Sequence, residues 1–337
     1  MAKLDVYGIG NALVDKEFEV EDSFFAEAGI EKGFMTLIDA TQQEQLLSLL
    51  SRRYSLKKRA GGGSAANSLY AVSQFGGKAF YSCKVANDES GDFYVEELGS
   101  SNIQTNLSTE REEGHTGRCI VMVTPDAERT MLTHLGISQH VSEADLKLDL
   151  AATAQYVYIE GYLVTSDSAR QAAKRLKSAA EQSGVKTALT FSDPAMVEYF
   201  REGVNELIGT GVDLLFCNEK EAKIWSGEQD FDTACKKIGS VAKKFAITRG
   251  ANGALLFDGE NYINIAPNKV AAVDTNGAGD MFSGAFMYGL TQGMSFKDAG
   301  DLASLASATV VSQFGPRLAP EQHAELLQKF NKSRKAQ

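Results

Sequence analysis

The chain has 337 residues, 43% of them hydrophobic and 23% charged, which is ordinary for a soluble globular protein. That length suits one large α/β domain carrying an insertion, or two domains. A net charge of −10 and a pI near 5.1 argue against nucleic acid or an anionic membrane as partner, so a surface that handles anions must be built locally.

In chain order, Lys3 to Ile9 reads as a short strand entering the turn Gly8-Ile9-Gly10. β-prone stretches follow at Glu17 to Val20, Gly33 to Ile38, Gly117 to Thr124 and Arg129 to Leu135, each bounded by polar turns. Buried strands are expected at Ala79 to Val85, Tyr156 to Ile159, Lys186 to Phe191 and Val212 to Cys217, then Lys244 to Thr248 and Ala254 to Phe257. Helical patterns run from Ala65 to Phe75 and from Asp167 to Gln182, the latter capped by Ser166 or Asp167 and stopped near Gly184. A further helix begins at Asn218 and ends near Gly227, and Met281 to Tyr288 reads as a buried helix. Asn331 to Gln337 reads as a frayed polar tail. Strand–helix alternation of this kind implies a mostly parallel sheet covered on both faces, with ligands beyond the carboxyl ends of the strands.

Cys83, Cys119, Cys217 and Cys235 lack zinc-ligand spacing and read as buried structural thiols. None of His115, His134, His140 and His323 lies in a motif. Met1 to Val6 has no signal-peptide core and no apolar run approaches membrane-spanning length, so a cytoplasmic chain is expected.

Seven residues stand out: Asp274-Thr275-Asn276-Gly277-Ala278-Gly279-Asp280, directly before the buried helix. Gly277 and Gly279 let backbone approach a ligand closely, and the helix aims unpaired N–H groups and its positive end at the loop. An anion suits that place. Asp280 suits a proton acceptor better than an anion ligand, because like charges repel. Cradle and base together equip a site for phosphoryl transfer to a hydroxyl. A glycine turn with Asp280 as a helix cap is the plainer reading.

Gly8-Ile9-Gly10-Asn11-Ala12-Leu13-Val14-Asp15 has Leu13 where a dinucleotide fingerprint needs its third glycine, and no Walker A loop occurs anywhere. What remains is a strand end delivering Asn11 and Asp15, either a solvated turn or a grip on vicinal hydroxyls. Arg59-Ala60-Gly61-Gly62-Gly63-Ser64-Ala65-Ala66-Asn67 opens onto a helix; its glycines suit a ligand or a close helix–sheet contact. Asn218-Glu219-Lys220-Glu221 follows a strand, where Asn218 could cap the next helix and the Glu residues could answer its dipole.

The string Asp274 to Asp280 resembles the signature of the ribokinase family of carbohydrate and nucleoside kinases, the phosphofructokinase-B type. Gly62-Gly63-x-x-x-Asn67 resembles that family's first signature, with Leu69 where a small residue is usual. Ala86-Asn87-Asp88-Glu89-Ser90-Gly91 looks like its Gly-x-Asp-x-x-Gly turn with the first glycine replaced. Gly10-Asn11-x-Leu13-x-Asp15, Tyr158 to Leu163 and Phe216 to Glu219 are most similar to the adenosine kinase branch.

The resemblance implies a three-layer α/β/α fold: one kinase domain over residues 1–337, with a β-rich lid formed approximately by 13–42 and 112–137. It implies Asp280 as base, the N–H groups of Gly277, Ala278 and Gly279 as anion hole, and Arg129 on the transferring phosphate. Asn11, Asp15, Gly62, Gly63 and Asn67 would hold sugar hydroxyls, and Tyr162 or Leu163 would lie near a base. Asn218, Thr248, Gly250, Gly253 and Thr275 would face ATP, with Glu221 ordering Mg²⁺ through water. The resemblance also admits a monovalent cation such as K⁺ near Asp274. The expected partner is a small nucleoside or sugar, and the expected assembly a monomer or homodimer. The reaction implied is ATP-dependent phosphorylation of a nucleoside 5′ hydroxyl, adenosine first. A simple-sugar kinase and a silent nucleotide-binding regulator are the alternatives.

Overall fold

Alternate residues of the central strands feed two separate apolar layers, and that alternation sets the architecture. Val6 joins one core while Tyr7 and Ile9 join the other; Tyr156 and Tyr158 part from Val157 and Ile159 in the same way. Strands apolar on both faces must be covered twice, at about 1.5–3 kcal/mol for each large side chain buried.

The computed structural model describes residues 3–107 and 110–335. The chain begins β1 (Val6–Ile9), β2 (Leu13–Glu19), α1 (Asp22–Ala28), β3 (Met35–Leu37), α2 (Ala40–Arg53) and β4 (Leu56–Gly62). It continues with α3 (Ser64–Gln74), β5 (Ala79–Ser82), α4 (Glu89–Ser100), β6 (Gln104–Thr105), β7 (Gly117–Val123) and β8 (Arg129–His134). Next come α5 (Leu148–Ala151), β9 (Tyr156–Ile159), α6 (Asp167–Gln182), β10 (Lys186–Thr190), α7 (Pro194–Tyr199), α8 (Arg201–Ile208) and β11 (Val212–Asn218). The last third holds α9 (Glu219–Ser226), α10 (Phe231–Gly239), β12 (Ala242–Thr248), β13 (Ala254–Phe257) and β14 (Tyr262–Ile265). It closes with α11 (Ala278–Thr291), α12 (Phe296–Val310) and α13 (Pro320–Lys335).

The nine-stranded sheet has the order β14-β13-β12-β11-β10-β9-β1-β5-β6 and is parallel from β12 to β6. Only β13 and β14 run antiparallel, at one edge. Residues of α3, α11, α12 and α13 pack in one layer; those of α6, α8 and α10 pack in the other. This is the expected ribokinase-like α/β arrangement.

A second sheet, β3-β8-β7-β2-β4, turns one face toward the carboxyl ends of the first. Its outer face carries Phe18, Ile120, Met122 and Leu132, which pack with Phe24, Phe25, Leu46 and Leu50 of α1 and α2. The small sheet therefore reaches beyond 13–42 and 112–137, because β4 pairs antiparallel with β2 and extends it to Gly62. Leu56-Lys57-Lys58-Arg59 has no apolar alternation, so nothing in its pattern announces a strand.

The C-terminal segment departs from expectation as well. Helix α13 runs on to Lys335, with Leu326 and Phe330 buried and Arg334 bonded to Asp298 at 2.8 Å; 336–337 lie outside the described residues.

Candidate active site

A cavity of about 690 Å³ lies between the two sheets, a size that suits small-molecule ligands. It is walled by residues just past β1 (Asn11), β9 (Tyr162) and β10 (Ser192) and by the last residues of β11 (Asn218) and β12 (Thr248). Sheet order separates β1 from β12 by three strands, so the cavity floor is roughly 19 Å long at ordinary strand spacing. The small sheet closes the top with Leu13, Asp15, Met35, Cys119, Arg129 and Met131.

Asp280 occupies the first turn of α11 and faces the cavity. Ser64 Oγ donates to its Oδ1 at 2.6 Å and Asn67 Nδ2 donates to Oδ2 at 3.0 Å. Two donors from α3 thus fix the carboxylate's plane. Burial pushes its proton affinity above the ordinary carboxylate value, with Ser64, Asn67, Arg129 and Arg317 opposing. A raised carboxylate is a better proton acceptor.

The glycines before it divide their work. Gly277 has φ 74°, in the left-handed region, and a Cβ there would meet Pro316 Cα at 2.5 Å. Gly279 has an ordinary φ and open space around its would-be Cβ. Gly277, Ala278 and Gly279 all line the cavity. The Ala278 N–H turns back to the Thr275 carbonyl at 3.2 Å, while no hydrogen bond of the Gly277 or Gly279 N–H is found among the described residues. Asp274 is fully buried below, accepting from the N–H of Asn276 (2.8 Å) and of Gly315 (3.0 Å). Thr275 faces the cavity and donates both its N–H and its hydroxyl to Ala127 O, at the tip of the β7–β8 hairpin.

Asp15 is 6% exposed and reaches the cavity, yet its carboxylate has no hydrogen bond among the described residues. Burial raises its pKa to about 8, with the Arg317 charge opposing. Asn11 lines the cavity beside it. Gly63 also lines the cavity; its φ is 96°, and a Cβ there would lie 2.0 Å from Asn11 O. Gly62 corrects the expectation. It does not line the cavity; its bare Cα makes room for the Asp15 carboxylate, which a Cβ would meet at 2.3 Å.

Tyr162 faces the cavity, whereas Leu163, expected as an alternative base contact, is fully buried in the core beneath it and does not line the cavity. Both sit in a 3-10 turn, Gly161–Thr165, where successive side chains point about 120° apart. Arg129 opens β8 and its guanidinium forms no hydrogen bond or ion pair among the described residues.

At the β11–β12 end lie Asn218, Thr248, Gly250 and Gly253, with Ser304 and Ser307 from α12. Asn218 caps α9 through a reciprocal box with Glu221: Glu221 N–H donates to Asn218 Oδ1 at 2.8 Å, and Asn218 N–H donates back to Glu221 Oε2 at 2.9 Å. Asn218 Nδ2 also holds Glu221 Oε1 at 2.7 Å. The capping reading is therefore correct in geometry, and both residues still line the cavity. Burial lifts the Glu221 pKa to about 8.

Other expectations resolve simply. All four cysteines are free and buried, and no histidine lines the cavity. Asp88 caps α4, accepting from Gly91 N–H at 2.8 Å. Leu69 fills the space that a Cβ on Gly8 would occupy, at 2.6 Å. Sequence reasoning missed Ser64, although it stands inside the quoted glycine string.

The model of the pfkB family carbohydrate kinases matches residues 36–323. A probable sugar kinase from Rhizobium etli is 34% identical, with a TM-score of 0.91 over 97% of this chain and 99% of its own. An adenosine kinase from Sinorhizobium meliloti is also 34% identical, with a TM-score of 0.90 over 96% and 99%. The adenosine kinase of Saccharomyces cerevisiae is 23% identical over 327 residues, 91% of this chain and 95% of that one. With this fold and this cavity, the chain belongs to the pfkB family of carbohydrate kinases and is a phosphotransferase with an alcohol as acceptor.

Proposed function

We propose that the chain transfers the γ-phosphoryl group of ATP to the 5′ hydroxyl of a nucleoside, with adenosine as the preferred acceptor. The observation that carries the acceptor class is the wall around Asp15. Leu13, Met35, Leu37, Cys119, Met131 and Leu135 make that part of the cavity apolar beside one unpartnered carboxylate. A free sugar offers mostly hydroxyls and little apolar area to such a wall. A nucleoside offers vicinal hydroxyls to Asp15 and an apolar base face to the rest.

Asp15 and Asn11 would accept and donate to the ribose hydroxyls, and Tyr162 would border the base. Asp280 would take the proton of the attacking hydroxyl. N–H groups at the start of α11 and the free guanidinium of Arg129 would stabilise negative charge that builds on the phosphoryl oxygens. Asn218, Thr248, Gly250, Gly253 and Thr275 would border the nucleotide.

Kinases of this family use ATP with Mg²⁺. Among the described residues no group of three or more His, Cys, Asp or Glu could hold a metal ion directly. That donor set fits an ion carried in on the phosphates, keeping several waters, with Glu221 as a carboxylate within reach of those waters. Bound there, it would neutralise phosphate charge.

A panel of adenosine, 2′-deoxyadenosine, other nucleosides, ribose and fructose with ATP and Mg²⁺ tests the reading. Adenosine should exceed 2′-deoxyadenosine by about 1–3 kcal/mol in kcat/KM, because the missing hydroxyl strands a buried acceptor. Ribose or fructose outperforming every nucleoside would transfer the assignment to a sugar kinase. Retention of a positioned Asp280 argues against a silent regulator.

A further inference from the structure

Arg317 sits between α12 and α13, behind the cavity wall rather than on it, and is 7% exposed. Its Nε donates to Asn67 Oδ1 at 2.9 Å, and its Nη1 donates to Glu97 Oε1 at 2.7 Å. The guanidinium also lies over the Tyr70 ring, 4.9 Å from its centroid. Nη2 is buried with no partner among the described residues.

Two consequences reach the site. First, an Asn amide has one acceptor end and one donor end. With Oδ1 held by Arg317, Nδ2 is left to donate to Asp280 Oδ2. The flipped amide would set oxygen against carboxylate and NH₂ against guanidinium, two repulsions in place of two attractions. Second, Glu97 uses its other oxygen, Oε2, to accept from Gly61 N–H at 2.8 Å. The next residue, Gly62, is the one whose bare Cα admits the Asp15 carboxylate.

We infer that Arg317 is a positioning residue for phosphoryl transfer, aligning the base through Asn67 and the hydroxyl-gripping carboxylate through Glu97 and β4. The inference rests on the role proposed for Asp280. Electrostatics point the same way, since the Arg317 charge lowers the proton affinity of both Asp15 and Asp280 against burial. Arg129 also lowers Asp280, while Asp274, Glu97 and Asp280 raise Asp15. Tyr158, Glu160, Tyr162 and Glu221 stand near enough to Asp280 to feel its charge, and Glu17 and Cys119 to feel that of Asp15.

The test compares wild type, Arg317→Lys, Arg317→Met, Asn67→Ala and the Asn67→Ala/Arg317→Met double variant. The acceptor is whichever one wild type turns over fastest, so a wrong choice of adenosine leaves the test intact. Arg317→Met should lower kcat roughly 10–100-fold through misplacement of the base, with the KM for ATP unchanged. It should also move the acid limb of kcat/KM upward by about one pH unit, since a base without its nearby cation keeps its proton to higher pH. Arg317→Lys should restore the acid limb but not kcat, because a point charge cannot reproduce the two-pronged fork. In the Asn67→Ala background, Arg317→Met should cost little further kcat. Should the Met variant not fold, the Lys variant decides alone: lowered kcat with an unmoved acid limb supports the inference, and wild-type kcat overturns it. A Met variant with a lower melting temperature but wild-type kcat per folded molecule and an unmoved acid limb would reduce Arg317 to a structural ion pair.

Discussion

At the scale of single residues, Asp15 carries the sharpest electrostatic consequence. Its carboxyl is buried, unpartnered and lifted to about 8, so at neutral pH the empty site holds it largely protonated. Hydroxyls that donate to the charged form favour proton loss. Acceptor binding should then release a proton, and acceptor affinity should rise with pH until about 8. Calorimetric titration in buffers of different ionisation heat, from pH 6 to 8.5, reads both effects; affinity flat across that range would contradict the role given to Asp15. Asp15→Ala should raise the acceptor KM more than tenfold, the cost of losing a charge-assisted pair of hydrogen bonds, and leave the KM for ATP nearly unchanged. Asp15 and Asp280 were singled out because the strings that contain them resemble signatures of a known kinase family; taken alone, they read equally well as a solvated turn and a helix cap. Ser64 and Arg317 were not. Their meaning lies in partners 216 and 250 residues away, Asp280 and Asn67, which no local pattern names.

At the scale of elements, the loop before α11 shows how two glycines in one motif serve different ends. Sequence reading treats Gly277 and Gly279 alike as places of close approach. The left-handed φ and the contact with Pro316 make Gly277 a backbone requirement, whereas Gly279 opens onto the cavity. Gly277→Ala should therefore damage the loop itself, with a backbone penalty of about 1–2 kcal/mol before the Pro316 clash is added, and lower both melting temperature and activity. Gly279→Val should keep the fold and fill ligand space, raising the KM for ATP or lowering kcat. A melting scan beside steady-state kinetics separates the two; equal loss of stability in both variants would refute the distinction. Helices α6 and α9 were readable to within a residue, since Ser166 and Asn218 cap them and Gly227 closes α9. Strand β4 was not, being a polar edge strand held by one neighbour and by Glu97 rather than by an apolar face.

At the scale of the whole molecule, helix–strand alternation announced the large sheet, but periodicity could not assemble the small one. Its strands come from separated segments, and β2 pairs with β7 across about a hundred residues of intervening chain. Closing that sheet over the cavity buries several carboxylates. Asp15, Glu160 and Glu221 are each lifted to about 8, chiefly by desolvation. Folded, these groups hold protons that the unfolded chain has released above about pH 4, so the folded state binds more protons between pH 4 and 8. Their contribution to stability is fully present below about pH 4 and is lost progressively as pH rises from there to about 8. The melting temperature should accordingly fall between pH 6 and 9, and a bound acceptor should lessen the fall; a melting temperature that climbs over that range would show these carboxyls are not held protonated. The proposed phosphoryl transfer turns on one group, Asp280, acting as the base. The most direct measurement is the kcat of Asp280→Asn under saturating ATP, Mg²⁺ and acceptor, with nucleotide affinity measured alongside. The variant keeps the side chain's size and shape and removes the base, so kcat should fall roughly 10²–10⁴-fold while ATP affinity is retained. Turnover near the wild-type rate in the folded variant would contradict the mechanism.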